Sequence, residues 1–115
     1  MNPRWAEGEP LMPIWKVSPG TRADRAAEQD AAAGGRERRM VALTDGRRAT
    51  ASIYLRKLPA SRRVYAYLRH SERGKTYDRY VGDVTFESRE EALRAAWKKA
   101  RGGGLLDDPR YRSRR

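Results

Sequence analysis

Val64–Val84 reads VYAYLRHSERGKTYDRYVGDV. Val64, Ala66 and Leu68 alternate with Tyr65, Tyr67 and Arg69, the two-residue period of a half-buried strand. Ser71–Lys75 is a short polar interval around Gly74, which predicts a hairpin loop, and Thr76–Val84 returns as a second strand. On that strand Tyr77, Arg79 and Val81 oppose Tyr80 and Val84. Both sets are partly apolar, so periodicity leaves its buried side open.

Working upstream, Ala49–Leu58 alternates Ala51, Ile53 and Leu55 with Ser52, Tyr54 and Arg56, a third strand that Pro59 closes. Arg39–Leu43 reads as a strand before it. The intervening Asp45–Gly46 pair is a hairpin-turn signal because both residues tolerate positive φ.

Downstream, Ser88 and Glu91 stand at capping-box spacing, and Glu90 and Glu91 suit the positive end of a helix dipole. Leu93, Ala96, Trp97 and Ala100 recur at helical spacing, and Gly102–Gly104 ends the run. This stripe is expected to cover the Val64, Ala66 and Leu68 face. The fold class is therefore α+β, a three- or four-stranded antiparallel sheet with one C-terminal helix packed on one face.

A leader (1–37), a sheet-plus-helix domain (38–104) and a basic tail (105–115) divide the chain. The flexible leader holds a proline-rich segment with Leu11, Met12, Ile14 and Trp15, then TRADRAAEQDAAA (21–33), a short, marginal helix capped at Thr21 and stopped by a Gly34–Gly35 linker.

The net charge is +11, and it is unevenly placed. Residues 1–35 carry four basic and five acidic side chains, leaving 22 basic and 10 acidic in 36–115. A field of that kind concentrates phosphates near the later part of the chain. An arginine-biased genome would give a similar composition, with 21 of the 26 basic residues arginine.

Cysteine is absent, which excludes disulfides, thiol nucleophiles and cysteine metal sites and fits a cytoplasmic setting. No apolar run approaches the ~20 residues of a membrane span. His70, the only histidine, is expected near solvent at a strand end and has no histidine partner for a metal or a nucleophile. Gly74, Lys75 and Thr76 imitate the end of a phosphate-binding loop, but Arg69 stands where its earlier glycine is required. Asp78, Asp83 and Glu87 are the nearest acidic set, and simple alternation puts Asp78 and Asp83 on opposite faces. The sequence thus points to a non-enzymatic protein without cofactor or metal.

Function is expected on the sheet face that the helix leaves free. Alternation would place Tyr54, Arg56, Tyr65, Tyr67, Arg69 and Arg79 there, arginines for phosphate or guanine and tyrosines as rigid contacts with a polar tip. Cross-strand tyrosine pairing that merely stabilises an exposed face is the structural alternative. Lys75 at the hairpin and Arg112, Arg114 and Arg115 in the tail complete the candidate nucleic-acid-binding set.

The hairpin RVYAYLRHSERGKTYDRYVGDV followed by the helix SREEALRAAWKKAR resembles the arm-type, AP2-like DNA-binding domain of phage integrases, over roughly Ala49–Arg101. The resemblance implies a sheet laid in the major groove of double-stranded DNA through Arg56, Tyr65, Tyr67, Arg69 and Arg79, and an accessory or regulatory role in a mobile element. No catalytic domain follows, so recombination is not implied. The strand–helix order also resembles double-stranded RNA-binding domains, with 21–33 as the first helix. Glu90 and Glu91 depart from the basic helix start of that family, and Lys98 and Lys99 come at the far end. DNA is the preferred partner over RNA, with no membrane. The remaining alternative is a protein-interaction adaptor docking through its tyrosine-rich sheet or through Trp5, Trp15 or Leu105 and Leu106, the two leucines having as their other reading a fold-back on the sheet.

Overall fold

The computed structural model describes residues 20–57 and 62–107. Pro59, Trp5, Trp15, Arg112, Arg114 and Arg115 lie outside the described residues. Helix α1 (Arg22–Ala33) is followed by a 3-10 turn (Arg36–Arg39), strands β1 (Met40–Ala42), β2 (Arg48–Thr50), β3 (Ser52–Lys57), β4 (Val64–Glu72) and β5 (Lys75–Asp83), and helix α2 (Arg89–Gly102). The architecture is α+β, with two antiparallel sheets: β1 with β2, and a three-stranded sheet in the order β3-β4-β5.

Local signals behave as their chemistry dictates. Thr21 Oγ1 accepts from Asp24 N at 3.0 Å to start α1, and Gly34, at φ 96°, ends it in a conformation that costs other residues a Cβ clash. Ser88 Oγ accepts from Glu91 N at 3.1 Å to start α2. Asp45 accepts from Arg47 N, and Gly46, at φ 89°, completes the β1–β2 turn.

The expected face packs as its pattern requires. Val64, Ala66 and Leu68 are fully buried beneath α2, whose Leu93, Ala96, Trp97 and Ala100 are also fully buried. Burial of a Val or Leu side chain contributes about 1.5–3 kcal/mol, and these residues form one core cluster with Val41, Ile53, Val84 and Leu106.

Two features correct the single-sheet, single-helix expectation. First, the strand expected over Ala49–Leu58 is divided between two sheets at Ala51. Arg39 holds that break: its carbonyl accepts from Ala51 N and its Nε donates to Ala51 O, both at 2.9 Å, while its NH2 donates to Ser52 Oγ at 3.0 Å. Asp30 neutralises this nearly buried guanidinium at 2.6 Å. Alternation continues unbroken through Ala51, so the period could not reveal the division.

Second, α1 is part of the fold and not a marginal helix ahead of it. Its buried Gln29 donates to Ile53 O (3.1 Å) and accepts from both Ile53 N (2.9 Å) and Trp97 Nε1 (3.2 Å). One side-chain amide thereby occupies the β3 edge as a neighbouring strand would and satisfies the indole beneath it. Arg89 adds two bonds from α2 to Glu28, and Arg101 donates to Ala33 O.

After α2 the chain folds back. Leu105 N bonds Ala100 O, Leu106 O accepts from Ala42 N at 2.9 Å, and Leu106 is buried with Leu105 packed beside it. Leu106 thus serves the core, with Leu105 half-buried against it.

Candidate nucleic-acid interface

The register of β4 and β5 decides what the outer sheet face carries. Tyr67 pairs with Tyr80 but Ala66 pairs with Gly82, so Val81 is the additional residue of a β-bulge. On the hairpin side of the bulge, Leu68 pairs with Arg79 and Arg69 with Asp78. Arg79 therefore shares the buried face of Leu68. It is 2% exposed and donates through NH1 to Leu105 O, which removes it from the interface expected of it. Tyr80 takes the outward place instead, opposite Tyr67 and 56% exposed, whereas alternation with Arg79 outward turns it to the buried side.

The outer face is a ladder of four tyrosines. Tyr54 on β3 lies 6.5 Å from Tyr67, Tyr67 lies edge-on to Tyr80 at 5.5 Å, and Tyr80 lies 6.4 Å from Tyr65. Such pairs contribute about 0.5–1.5 kcal/mol each beyond their buried area. Tyr54 is still 44% exposed, so the ladder stabilises the sheet and leaves rings open to a partner.

Cations on this face are partly committed. Arg69 stacks its guanidinium carbon 4.3 Å above the Tyr54 ring and donates Nε and NH2 to the two oxygens of Asp78 at 2.8 and 3.0 Å. The Asp78 bond raises the Arg69 pKa further above its ordinary value, which burial alone would lower. Arg63 is paired with Asp83, whose carboxyl sits below the usual range, first because the Thr85 hydroxyl donates to it and also because of Arg63. Arg56 is exposed opposite Tyr65 and forms no ion pair among the described residues. The face is thus aromatic at its centre and only weakly cationic.

The remaining candidates fall elsewhere. Lys75 is exposed at the hairpin tip, in register with Glu72 and so in phase with the buried side, beside Arg73 and Gly74 at φ 54° and 78°. His70, expected near solvent, is 3% exposed and stacked on Tyr77 at 5.6 Å. The bulge brings Asp78 and Asp83 to the same face, contrary to simple alternation, yet each is held by an arginine. Among the described residues no group of His, Cys, Asp or Glu is placed to hold a metal ion, and no helix is long and apolar enough to cross a membrane.

Comparison of the chain with protein-family models, with curated proteins and with solved structures finds no match.

Proposed function

We propose that the protein is a nucleic-acid-binding module that sets the outer face of its three-stranded sheet against double-stranded DNA. The observation that carries this reading is the open tyrosine ladder with Arg69 stacked on one end and Arg56 free beside it. The β4–β5 hairpin extends nine residues on each strand, about 30 Å at strand rise, and a two-stranded ribbon of that kind fits a major groove about 12 Å wide. Rigid tyrosines would meet base edges and sugars, and Arg56 has its full fork available for a phosphate or a guanine. Exposed Arg62, Arg73 and Lys75 border the same hairpin and add backbone attraction. An accessory, cytoplasmic role in DNA transactions of a mobile element agrees with this reading, and no enzymatic step is needed for it.

Fluorescence anisotropy of the full chain against labelled duplex DNA, duplex RNA and single strands across a salt series tests it. Tighter binding to duplex DNA, weakened by Tyr67→Ala and Arg56→Ala without loss of folding, supports the proposal. Equal weak binding to all three probes would sink it and turn attention to a protein-partner role.

One observation favours duplex RNA as the second reading: α1 is integral, which gives the helix–sheet–helix order of the RNA-binding resemblance. Against it, Arg89 at the start of α2 is held in two bonds by Glu28 and is followed by Glu90 and Glu91. The RNA arm of the same titration separates the two.

A further inference from the structure

Where the outer face meets α1, a cleft of about 460 Å³ opens along the β3 edge. Arg22, Arg25, Arg39, Arg69 and Arg89 line it against a single carboxylate, Glu28. Asp30 and Asp78 pair with Arg39 and Arg69 from outside the lining, Glu28 holds Arg89, and Arg25 donates through NH1 to Gly20 O at 3.2 Å. The volume falls within the roughly 300–1,000 Å³ of small-ligand sites.

The geometry suits an oxyanion in particular. Arg22 and Arg25 stand in the first turn of α1, at the positive end of the helix dipole, a turn that Thr21 caps through the N–H of Asp24 and that also carries the Asp24 carboxylate. Arg22 is exposed and enters no ion pair among the described residues. Both backbone groups of Ile53 are turned outward to Gln29, so strand alternation also turns the N–H of Leu55, another lining residue, toward the cleft. Tyr54 and Arg69 belong to both the cleft and the tyrosine face, which makes the two surfaces continuous.

We propose that this cleft holds a backbone phosphate of the bound nucleic-acid strand, anchoring the strand where it leaves the tyrosine face at the β3 edge. The inference rests on the nucleic-acid reading above. It goes further in assigning Arg22 and Arg25, on a helix outside the sheet, to phosphate contact.

The test uses the full chain with the double variant Arg22→Gln/Arg25→Gln, both positions being exposed, with thermal melting as the check on folding. Anisotropy with a labelled DNA duplex is followed from 50 to 300 mM NaCl beside Tyr67→Ala. The double variant is expected to bind about tenfold more weakly at 100 mM NaCl and to lose about 1.8 from the slope of log affinity against log salt, the value for two phosphate contacts. Tyr67→Ala is expected to weaken binding with the slope unchanged. An unchanged slope in the double variant, with Tyr67→Ala still weakened, overturns the cleft and spares the sheet-face reading. The reverse pattern overturns the sheet face and sustains the cleft.

Titration with sodium pyrophosphate, read by amide chemical shifts, supplies the second arm. Shifts centred on Arg22, Arg25 and Leu55 that duplex DNA competes away support the strand as the source of the phosphate. Shifts that DNA does not displace reassign the cleft to a small free anion and overturn the proposal. Absence of shifts together with absence of duplex binding overturns it as well.

Discussion

Arg69 and Asp78 face each other across β4 and β5 in a two-bonded ion pair at 2.8 and 3.0 Å, and the same guanidinium lies 4.3 Å over Tyr54. The pair presents a planar, oriented fork whose charge is largely cancelled. Asp78→Asn should therefore free the cation while keeping a hydrogen-bond acceptor beside it. Duplex DNA binding should become about fivefold tighter at low salt, the equivalent of about 1 kcal/mol for one exposed charge. The salt slope should steepen by about 0.9. Anisotropy across a salt series reads both, and weaker binding would show that the pair is needed intact.

Arg56→Ala should do the opposite. Its guanidinium is exposed and forms no ion pair among the described residues, so little of the fold depends on it. Denaturation should shift by no more than about 0.5 kcal/mol, as for an ordinary surface substitution. The slope of DNA affinity against salt should fall by about 0.9 for one lost phosphate contact.

Arg79→Ala belongs to another class despite its equal place in the sequence pattern. The side chain is nearly buried and reaches the Leu105 carbonyl, which ties β5 to the segment after α2. Removing one member of a buried polar contact leaves its partners desolvated, at a cost of about 3 kcal/mol. Urea denaturation should show that loss. A fall in DNA binding by this variant would then report unfolding and carry no information about contact.

The contrast between Arg56 and Arg79 shows how far the sequence could be read. Strand β4, the Asp45–Gly46 turn and both helix caps are legible because each depends on residues within a few positions of one another. The side of Arg79 depends on a bulge at Val81 that shifts the phase of half a strand. Gly82, at φ 150° beside Val81, is a local sign of a bulge, but it does not say which side the strand turns, and Tyr77, Tyr80 and Val81 are apolar enough for either phase. The break at Ala51 is silent for a related reason, since it is imposed by Arg39 from twelve residues away. Gln29 shows the same limit: a glutamine in an alanine-rich helix reads as surface, and only the β3 edge and Trp97 give its amide three partners.

Those three bonds make Gln29→Ala a strong test of the assignment of α1 to the core. The variant leaves Ile53 N and Trp97 Nε1, both buried, without their acceptor. Each orphaned donor costs about 1–3 kcal/mol, so a loss of about 3 kcal/mol is expected. That is a large share of the roughly 5–15 kcal/mol that holds a typical domain. Urea denaturation followed by Trp fluorescence and by far-ultraviolet circular dichroism should move together. A change below about 1 kcal/mol would mean that α1 contributes little to the folded state.

Acid sensitivity should trace in part to Asp83. It accepts from Thr85 N at 3.0 Å and from the Thr85 hydroxyl, which itself accepts from Val64 N at 2.9 Å, and it pairs with Arg63. These donors favour the charged carboxylate, so its folded pKa lies below the unfolded value. The stabilisation is complete above the ordinary carboxylate pKa of about 3.9 and is lost as pH falls through the lower folded value. Because the pair stands at the surface and is screened, the contribution is held to under about 1 kcal/mol. Asp83→Asn should thus lower stability by up to that amount at pH 7. The difference from the parent should shrink as pH falls below about 3.9 and vanish once Asp83 is protonated in both states. Urea titrations at pH 7 and at about pH 2.5 measure it, and a difference that persists undiminished in acid would assign the effect to packing at the Thr85 corner and not to charge.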